Sequence, residues 1–132
     1  QKQVVIAPRI PQNLASAEML VAVLKQMHSD VSHRNHFTPL LPVAGIDGTL
    51  RTRLRDSSAT NNAIAKTGSK RNVSALAGYV NTQEGERLAF AILANNFTTT
   101  NSAINKIIDS AIVQLSDLAE DRVNFPGIFE PP

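Results

Sequence analysis

The segment 87–95 reads Arg-Leu-Ala-Phe-Ala-Ile-Leu-Ala-Asn and is apolar on both faces over 88–94. That pattern is typical of a strand in the middle of a sheet that is covered on both sides. Two further segments rich in apolar and β-branched residues precede it, at 64–69 and 73–82, and the links between the three have hairpin length. We therefore predict three sequential antiparallel strands.

The predicted pairing leaves one side of the strand 87–95 without a neighbour. Hairpin links pair 64–69 with 73–82, and 73–82 with 87–95, so none of these strands covers the far edge of 87–95. A long apolar strand with a free edge is an aggregation hazard that folded proteins normally avoid. Either residues 3–6, Gln-Val-Val-Ile, supply a short edge strand, or the missing strands belong to sequence absent from this chain.

Two amphipathic helices flank these strands, so the sequence predicts an α+β fold. Ser16 can cap a first helix over about 16–28. A longer helix begins at Asn101 or a neighbouring threonine and is expected to pack on the sheet. Its apolar stripe consists of Ile104, Ile107, Ile108, Ala111, Ile112, Leu115 and Leu118. We also predict a short helix near 49–54, and surface loops at 28–39 and 56–62.

The composition excludes several classes of protein. Apolar residues make up 42% of the 132 residues, which suits one globular core, yet no apolar run approaches the roughly 20 residues of a transmembrane segment. A net charge of +2 and only one Tyr argue against nucleic-acid binding. The loop histidines His33 and His36 lack a nearby carboxylate pair, so we expect no metal site.

The absence of cysteine excludes disulfides and thiolate zinc sites but leaves the compartment open. The chain begins Gln-Lys-Gln, without Met or a signal peptide, which we interpret as the start of a processed, trimmed or incomplete chain. The proline-containing tail at 120–132 is expected to run irregularly over the surface.

Residues 65–69 read Ala-Lys-Thr-Gly-Ser on the first predicted strand. The triplet Lys-Thr-Gly occurs in penicillin-binding proteins and β-lactamases, but alone it is a weak signal. Its surroundings are more specific: Leu-Pro-Val-Ala-Gly-Ile-Asp-Gly-Thr-Leu at 41–50, Val-Ser-Ala-Leu-Ala-Gly-Tyr-Val at 73–80 and Leu-Ala-Phe-Ala-Ile-Leu-Ala-Asn at 88–95. Over roughly 13–118, the chain resembles the class C low-molecular-mass penicillin-binding proteins, the D-alanyl-D-alanine carboxypeptidase/endopeptidase family.

This resemblance implies that residues 1–132 are the C-terminal portion of one penicillin-binding (β-lactamase-like transpeptidase) domain. The whole protein would be a serine-type hydrolase of the periplasm or cell envelope, acting on the D-Ala-D-Ala end of peptidoglycan stem peptides. It would work through an acyl-enzyme, bind β-lactams, and need neither a metal nor an organic cofactor.

The resemblance also implies a role for each residue of the motif, because in that family the peptide lies along this strand like an added strand. Lys66 would supply positive charge near the terminal carboxylate of the substrate, and Thr67 would donate a hydroxyl hydrogen bond to it. Gly68 would leave room for the substrate backbone, and the backbone N–H of Ser69 would be an oxyanion-hole donor.

The nucleophile of that family is not found in this chain. The family reaction needs a Ser-x-x-Lys pair and a Ser-x-Asn motif, and neither occurs among the 132 residues. The Tyr79-Val80-Asn81 triplet has a similar spacing but falls inside a predicted strand, so we attribute it to chance. Where relatives read Asp-Gly-Ser-Gly-Leu-Ser before the first helix, residues 6–11 read Ile-Ala-Pro-Arg-Ile-Pro.

Two functional interpretations remain from the sequence. In the first, an N-terminal segment of the same protein carries the missing motifs, and this chain alone is inactive. In the second, the chain is a non-catalytic peptide- or protein-binding module that kept the cleft strand and lost acylation.

Overall fold

The computed structural model describes residues 15–119, so the segments 3–6 and 120–132 lie outside the described residues. The elements are, in chain order, α1 (Ala17–Ser29), α2 (Val31–Phe37), two 3₁₀ turns (Thr38–Leu40 and Gly48–Leu50), β1 (Ile64–Lys70), β2 (Val73–Asn81), β3 (Arg87–Asn95) and α3 (Asn101–Ser116). The predicted α+β fold is confirmed, as are the three strands and both flanking helices.

The strands form one antiparallel sheet in the order β1-β2-β3. The turn between β1 and β2 contains Asn72, whose φ of +57° suits a tight turn. At Gly78 the backbones of β1 and β2 approach closely, because a Cβ atom there would lie 2.0 Å from the carbonyl oxygen of Ile64. A glycine in β2 therefore sets how tightly β1 is held against the sheet.

Both faces of the sheet are covered, as predicted. On one face Leu76, Val80 and Phe90 pack in a core cluster with Ile108 and Ile112 of α3. On the opposite face a smaller cluster joins Leu24 of α1 to Leu41 and Tyr79. The two helices thus fix the sheet from opposite sides.

Two residues depart from the predicted stripe of α3, since Leu118 lies beyond the helix, which ends at Ser116, and Ile107 points to solvent. Ile107 is 66% exposed and belongs to neither core cluster, whereas its neighbour Ile108 is buried. At the helical spacing of 3.6 residues per turn, the stripe drifts around the helix, so not every apolar position in it faces the sheet.

The predicted surface loop at 28–39 is wrong. Residues Val31–Phe37 form α2, because the Asp30 side chain caps the helix by accepting a hydrogen bond from the backbone N–H of His33 at 3.2 Å. That hydrogen bond also lowers the pKa of Asp30. No residue of α2 is buried, which explains why apolar periodicity gave no helix signal here.

The predicted short helix near 49–54 is only a 3₁₀ turn at Gly48–Leu50. Leu54 and Asp56 have φ values of +58° and +54°, which are incompatible with a continuing right-handed helix. Within 15–119, no helix has both the length and the apolar character needed to cross a membrane.

Candidate functional site

The outer edge of β1 carries the Lys-Thr-Gly-Ser sequence and is covered only at its beginning. The N–H of Ala65 donates to the carbonyl of Pro42 and the N–H of Ala44 donates to the carbonyl of Ala63, each at 2.9 Å. Main-chain groups of alternate residues point to the same side of an antiparallel strand. The N–H and C=O groups of Thr67 and Ser69 therefore face this edge too.

Beyond this short contact, no strand within 15–119 lies against the outer edge of β1. The open stretch presents main-chain donors and acceptors that pair with no strand within 15–119, which is the arrangement that lets a sheet accept an extended peptide as an additional strand.

The charge of Lys66 lies at this open edge. Its side chain is exposed, and its Nζ atom donates a hydrogen bond to the carbonyl oxygen of Thr67 at 2.7 Å. Because that carbonyl points away from β2, the ammonium group is held beside the edge and does not extend into solvent from the sheet face.

The hydroxyl of Thr67 is held by a residue that sequence analysis did not single out. Thr67 Oγ1 and Thr49 Oγ1 are 3.0 Å apart. Thr49 belongs to the 3₁₀ turn Gly48–Leu50, which Leu50 anchors by being fully buried. Gly48 has a φ of +51°, and a Cβ atom there would lie 3.1 Å from Pro42, so this turn is tightly built against the segment before β1.

Gly68 and Ser69 complete the edge in different ways. A Cβ atom at Gly68 would meet only the Cβ of Ala75, at an ordinary distance of 3.5 Å, so the fold itself does not require glycine there. The Ser69 side chain accepts a hydrogen bond from Asn101 Nδ2 at 3.1 Å. Asn101 begins α3 and was also not singled out as a site residue.

Strand alternation places these side chains on two faces that border one edge. Lys66 and Gly68 lie on the α1 face, opposite Ala77 and Ala75 of β2, whereas Thr67 and Ser69 lie on the α3 face. A ligand strand along the edge would thus meet the lysine on one side and the two hydroxyl groups on the other.

The remaining candidates are not brought to this edge. Tyr79 is 1% exposed and its hydroxyl donates to the carbonyl of Leu24, so the Tyr-x-Asn triplet serves packing. His33 contacts Asp30, and His36 Nδ1 lies 2.7 Å from the carbonyl of Ser32. In the described part of the chain, no group of three or more His, Cys, Asp or Glu is placed to hold a metal ion.

Comparison with known proteins indicates the same family that the sequence resembles. The model of the D-Ala-D-Ala carboxypeptidase 3 (S13) family matches residues 11–118. A D-alanyl-D-alanine carboxypeptidase of Actinomadura sp. strain R39 is 38% identical over 112 residues, covering 81% of this chain and 20% of the relative. The penicillin-sensitive carboxypeptidase A of Dictyostelium discoideum is 30% identical over 110 residues, covering 79% of this chain and 21% of the relative.

Among solved structures, penicillin-binding protein 4 (DacB) of Haemophilus influenzae superposes with a TM-score of 0.74 at 26% identity, covering 82% of this chain and 26% of that one. The same protein has been solved in complex with a β-lactam, with the same TM-score. The chain spans about a fifth of the length of these curated relatives and about a quarter of the solved structure. With a family model that matches most of its length, the chain belongs to the D-Ala-D-Ala carboxypeptidase 3 (S13) family.

Proposed function

We propose that this chain forms the substrate-binding wall of a serine-type D-alanyl-D-alanine carboxypeptidase or endopeptidase, acting on peptidoglycan stem peptides in the periplasm or cell envelope. The observation that carries the proposal is the open edge of β1, along which Lys66, Thr67, Gly68 and Ser69 lie in order. The carboxypeptidase names of the relatives and the β-lactam complex of a structural neighbour support the same reaction.

The edge suits a peptide that ends in a free carboxylate. The substrate would lie antiparallel or parallel to β1 and exchange main-chain hydrogen bonds with Thr67 and Ser69. The Lys66 ammonium and the Thr67 hydroxyl border this edge from opposite faces, where a carboxylate would receive charge-assisted hydrogen bonds. Gly68 would let the substrate backbone approach closely, since the position carries no side chain.

The chemical step needs a hydroxyl nucleophile. A serine oxygen attacks the carbonyl carbon of the penultimate D-alanine, the C–N bond breaks, and D-alanine leaves with the proton. Water then hydrolyses the ester and restores the serine. During attack the carbonyl oxygen gains negative charge, and the N–H of Ser69 would be one of its donors.

In this proposal, the nucleophile comes from sequence of the same protein that lies outside this chain, since no Ser-x-x-Lys occurs among the 132 residues. The outer edge of β3 supports this, because no strand within 15–119 pairs with it. Most apolar side chains of β3 are only half-buried, whereas Leu76 and Val80 of β2 are fully buried. Additional strands there would complete the sheet.

The test is covalent labelling by fluorescent penicillin of native material that contains this chain. We expect Lys66→Ala to lower the labelling rate about 10- to 100-fold, as the loss of hydrogen bonds to a charged group implies. Lys70→Ala is the matched control, since Lys70 is an exposed lysine of the same strand and face at the hairpin end. Equal rates for the two variants would remove the proposed role of Lys66.

The isolated 132-residue chain separates the two functional interpretations. We expect it to bind an acylated D-Ala-D-Ala peptide without covalent labelling, with NMR shift changes centred on residues 66–69. Peptide binding without penicillin labelling, in the native material as well, would favour the non-catalytic binding module. Covalent labelling of the isolated chain would contradict an external nucleophile.

A further inference from the structure

We infer that Asn101, the first residue of α3, is a positioning residue for the active edge of β1: its amide orients the Ser69 hydroxyl and fixes the end of the strand. This inference rests on the proposed function and adds to it a residue from a helix that lies behind the substrate-binding edge. Three acceptors of the β1–β2 hairpin converge on the amide nitrogen of this residue.

Asn101 Nδ2 lies within hydrogen-bond distance of three acceptors on the β1–β2 hairpin. They are Ser69 Oγ at 3.1 Å, the carbonyl of Lys70 at 3.0 Å and the carbonyl of Val73 at 3.1 Å. An amide group has only two N–H hydrogens, so at least one is shared between acceptors. The contacts flank the turn on both sides, and they therefore hold the end of β1 and the start of β2 together.

The hydrogen bond from Asn101 restricts the directions in which the Ser69 hydroxyl can donate. An N–H group only donates, so Asn101 occupies the Ser69 oxygen as an acceptor, and the hydroxyl hydrogen of Ser69 must point elsewhere. Ser69 shares the α3 face with Thr67. The amide thus leaves the hydroxyl hydrogen of Ser69 able to donate towards a ligand at the edge.

The main chain of Ser69 is held by the same contacts. The Ser69 N–H faces the open edge and would donate to the developing oxyanion. Asn101 fixes the Ser69 side chain and the carbonyl of the next residue, which limits rotation of the peptide planes on either side. A misplacement of about 1 Å at a reacting centre can cost on the order of 100-fold in rate.

Asn101 is itself held in a fixed position. The Thr100 side chain caps α3 by accepting a hydrogen bond from the N–H of Ala103 at 3.1 Å. Ile108 and Ile112 anchor the helix in the core beneath β2. The Asn101 amide therefore ties the end of β1 to a helix that is anchored in the hydrophobic core.

The same helix offers a matched control. Asn105, one turn further along α3, accepts a hydrogen bond from the Ser74 hydroxyl of β2 at 2.5 Å. Ser74 is 2% exposed, so this contact is a helix-to-sheet hydrogen bond at least as buried as that of Asn101. Asn105 bonds to β2 at Ser74, the cross-strand neighbour of Ser69, but forms no hydrogen bond with Ser69 itself, so we expect its loss to affect stability and not the Ser69 hydroxyl.

The experiment compares Asn101→Ala with Asn105→Ala in the native material that fluorescent penicillin labels. Thermal unfolding is followed in parallel, and the acylation rate is measured over a range of penicillin concentrations, so that binding and acylation are separated. We expect Asn101→Ala to lower the acylation step about 10- to 100-fold and Asn105→Ala to leave it within about twofold, with both variants less stable than the wild type.

Two further variants distinguish the loss of the Asn101 hydrogen bonds from a general defect in folding. Asn101→Ser suits the first turn of a helix and preserves folding, but its short side chain cannot reach the hairpin acceptors, so it should lose acylation as Asn101→Ala does. Combining Asn101→Ala with Ser69→Ala should cost less than the sum of the two single losses, because both act through one hydroxyl.

The outcomes distinguish the role of Asn101 from the proposed function. An unlabelled wild-type protein would contradict the proposed function itself. A labelled wild type in which Asn101→Ala and Asn101→Ser acylate as fast as Asn105→Ala would overturn only the role of Asn101 and leave the proposed function standing.

Discussion

The hydroxyl of Thr49 lies 3.0 Å from the hydroxyl of Thr67, so a 3₁₀ turn and the edge strand β1 meet through one polar contact. The turn is rigid, since Leu50 is fully buried and the N–H of Gly45 donates to the carbonyl of Leu50 at 2.9 Å. The contact therefore gives the Thr67 hydroxyl a neighbour held by the buried Leu50. Its effect is on orientation, since an exposed hydroxyl pair contributes little to stability.

Replacing Thr49 by valine removes that neighbour and keeps the side-chain shape. We expect Thr49→Val to change the free energy of unfolding by less than about 1 kcal/mol. The acylation rate by penicillin should fall several-fold, because the Thr67 hydroxyl is then free to rotate. Thr52→Val, in the exposed segment after the turn, is the control and should change neither quantity. A wild-type rate in Thr49→Val would show that the pair does not orient Thr67.

The two glycines Gly68 and Gly78 differ in what an added methyl group would meet. At Gly78 a Cβ atom would lie 2.6 Å from the Cα of Ala65, so Gly78→Ala must push β1 away from β2. At Gly68 it would lie 3.5 Å from the Cβ of Ala75, and the fold can accept it. We expect Gly78→Ala to be strongly destabilised, whereas Gly68→Ala keeps the wild-type melting temperature within a few degrees and loses most penicillin labelling.

Comparing the two variants separates an effect on folding from an effect on how closely a ligand backbone approaches β1. Thermal unfolding and labelling are measured on the same preparations, and the Gly68→Ala variant gives the decisive result. If that variant is labelled at the wild-type rate, then no ligand backbone approaches β1 at this position.

Tyr79 is the only tyrosine of a chain without tryptophan, so its titration can be followed directly by absorbance. Burial raises the pKa of the Tyr79 hydroxyl above its usual 10.0, and the nearby Arg87 opposes the rise only in part. The fold favours the neutral phenol, whose O–H donates to the carbonyl of Leu24. This contribution to stability is fully present below pH 10.0 and is lost as the pH rises through the raised pKa.

We expect phenolate absorbance to appear at higher pH in the folded chain than in denaturant. Tyr79→Phe should lower the free energy of unfolding at neutral pH by about 1 kcal/mol and flatten its dependence on pH above 10.0. A folded-state titration at or below the denatured one would contradict the buried hydrogen bond.

Arg53 and Asp109 form a two-point ion pair that ties the segment after the 3₁₀ turn to α3. Arg53 Nε lies 3.1 Å from Asp109 Oδ2 and Arg53 Nη2 lies 2.6 Å from Asp109 Oδ1, with side chains only 16% and 21% exposed. Asp109→Asn leaves a mostly buried guanidinium without its counter-charge. We expect the free energy of unfolding to fall by about 1–3 kcal/mol in denaturant titrations.

Asp117→Asn is the matched control, because Asp117 is exposed and ends α3 through its backbone N–H. Its free energy of unfolding should stay within about 0.5 kcal/mol of the wild type. Equal losses in both variants would mean that general surface charge, and not the ion pair, determines the change.

The sequence predicted the parts of the fold whose signals are local. Ser16 caps α1 as expected, and the apolar, β-branched segments with links of hairpin length correctly predicted all three strands. The helix α2 was missed because none of its residues is fully buried, although Asp30 is a residue type that commonly begins helices. Local sequence signals therefore predict a helix or strand well when its side chains also form part of the hydrophobic core.

The site could be predicted only in part, for a related reason. The residues 66–69 are adjacent in sequence and were found through the family resemblance. Thr49 and Asn101 lie 18 and 32 residues away from their partners in this motif. Their roles depend on how the 3₁₀ turn and α3 pack against the sheet, and no spacing or composition signal carries that information.

The outer edge of β3 is where we propose that the rest of the domain joins this chain. The N–H of Asn96 donates to the carbonyl of Asn72, so alternation along β3 directs the N–H groups of Ala89, Ala91 and Leu93 away from β2. In the isolated 132-residue chain these three amides should exchange with solvent far faster than those of their neighbours in β3, which bond to β2. In native material that penicillin labels, the same amides should be protected, because strands that complete the sheet would accept their hydrogen bonds. Slow exchange in the isolated chain that persists on dilution would mean that the edge is already covered within one molecule, and the proposed junction would then be wrong.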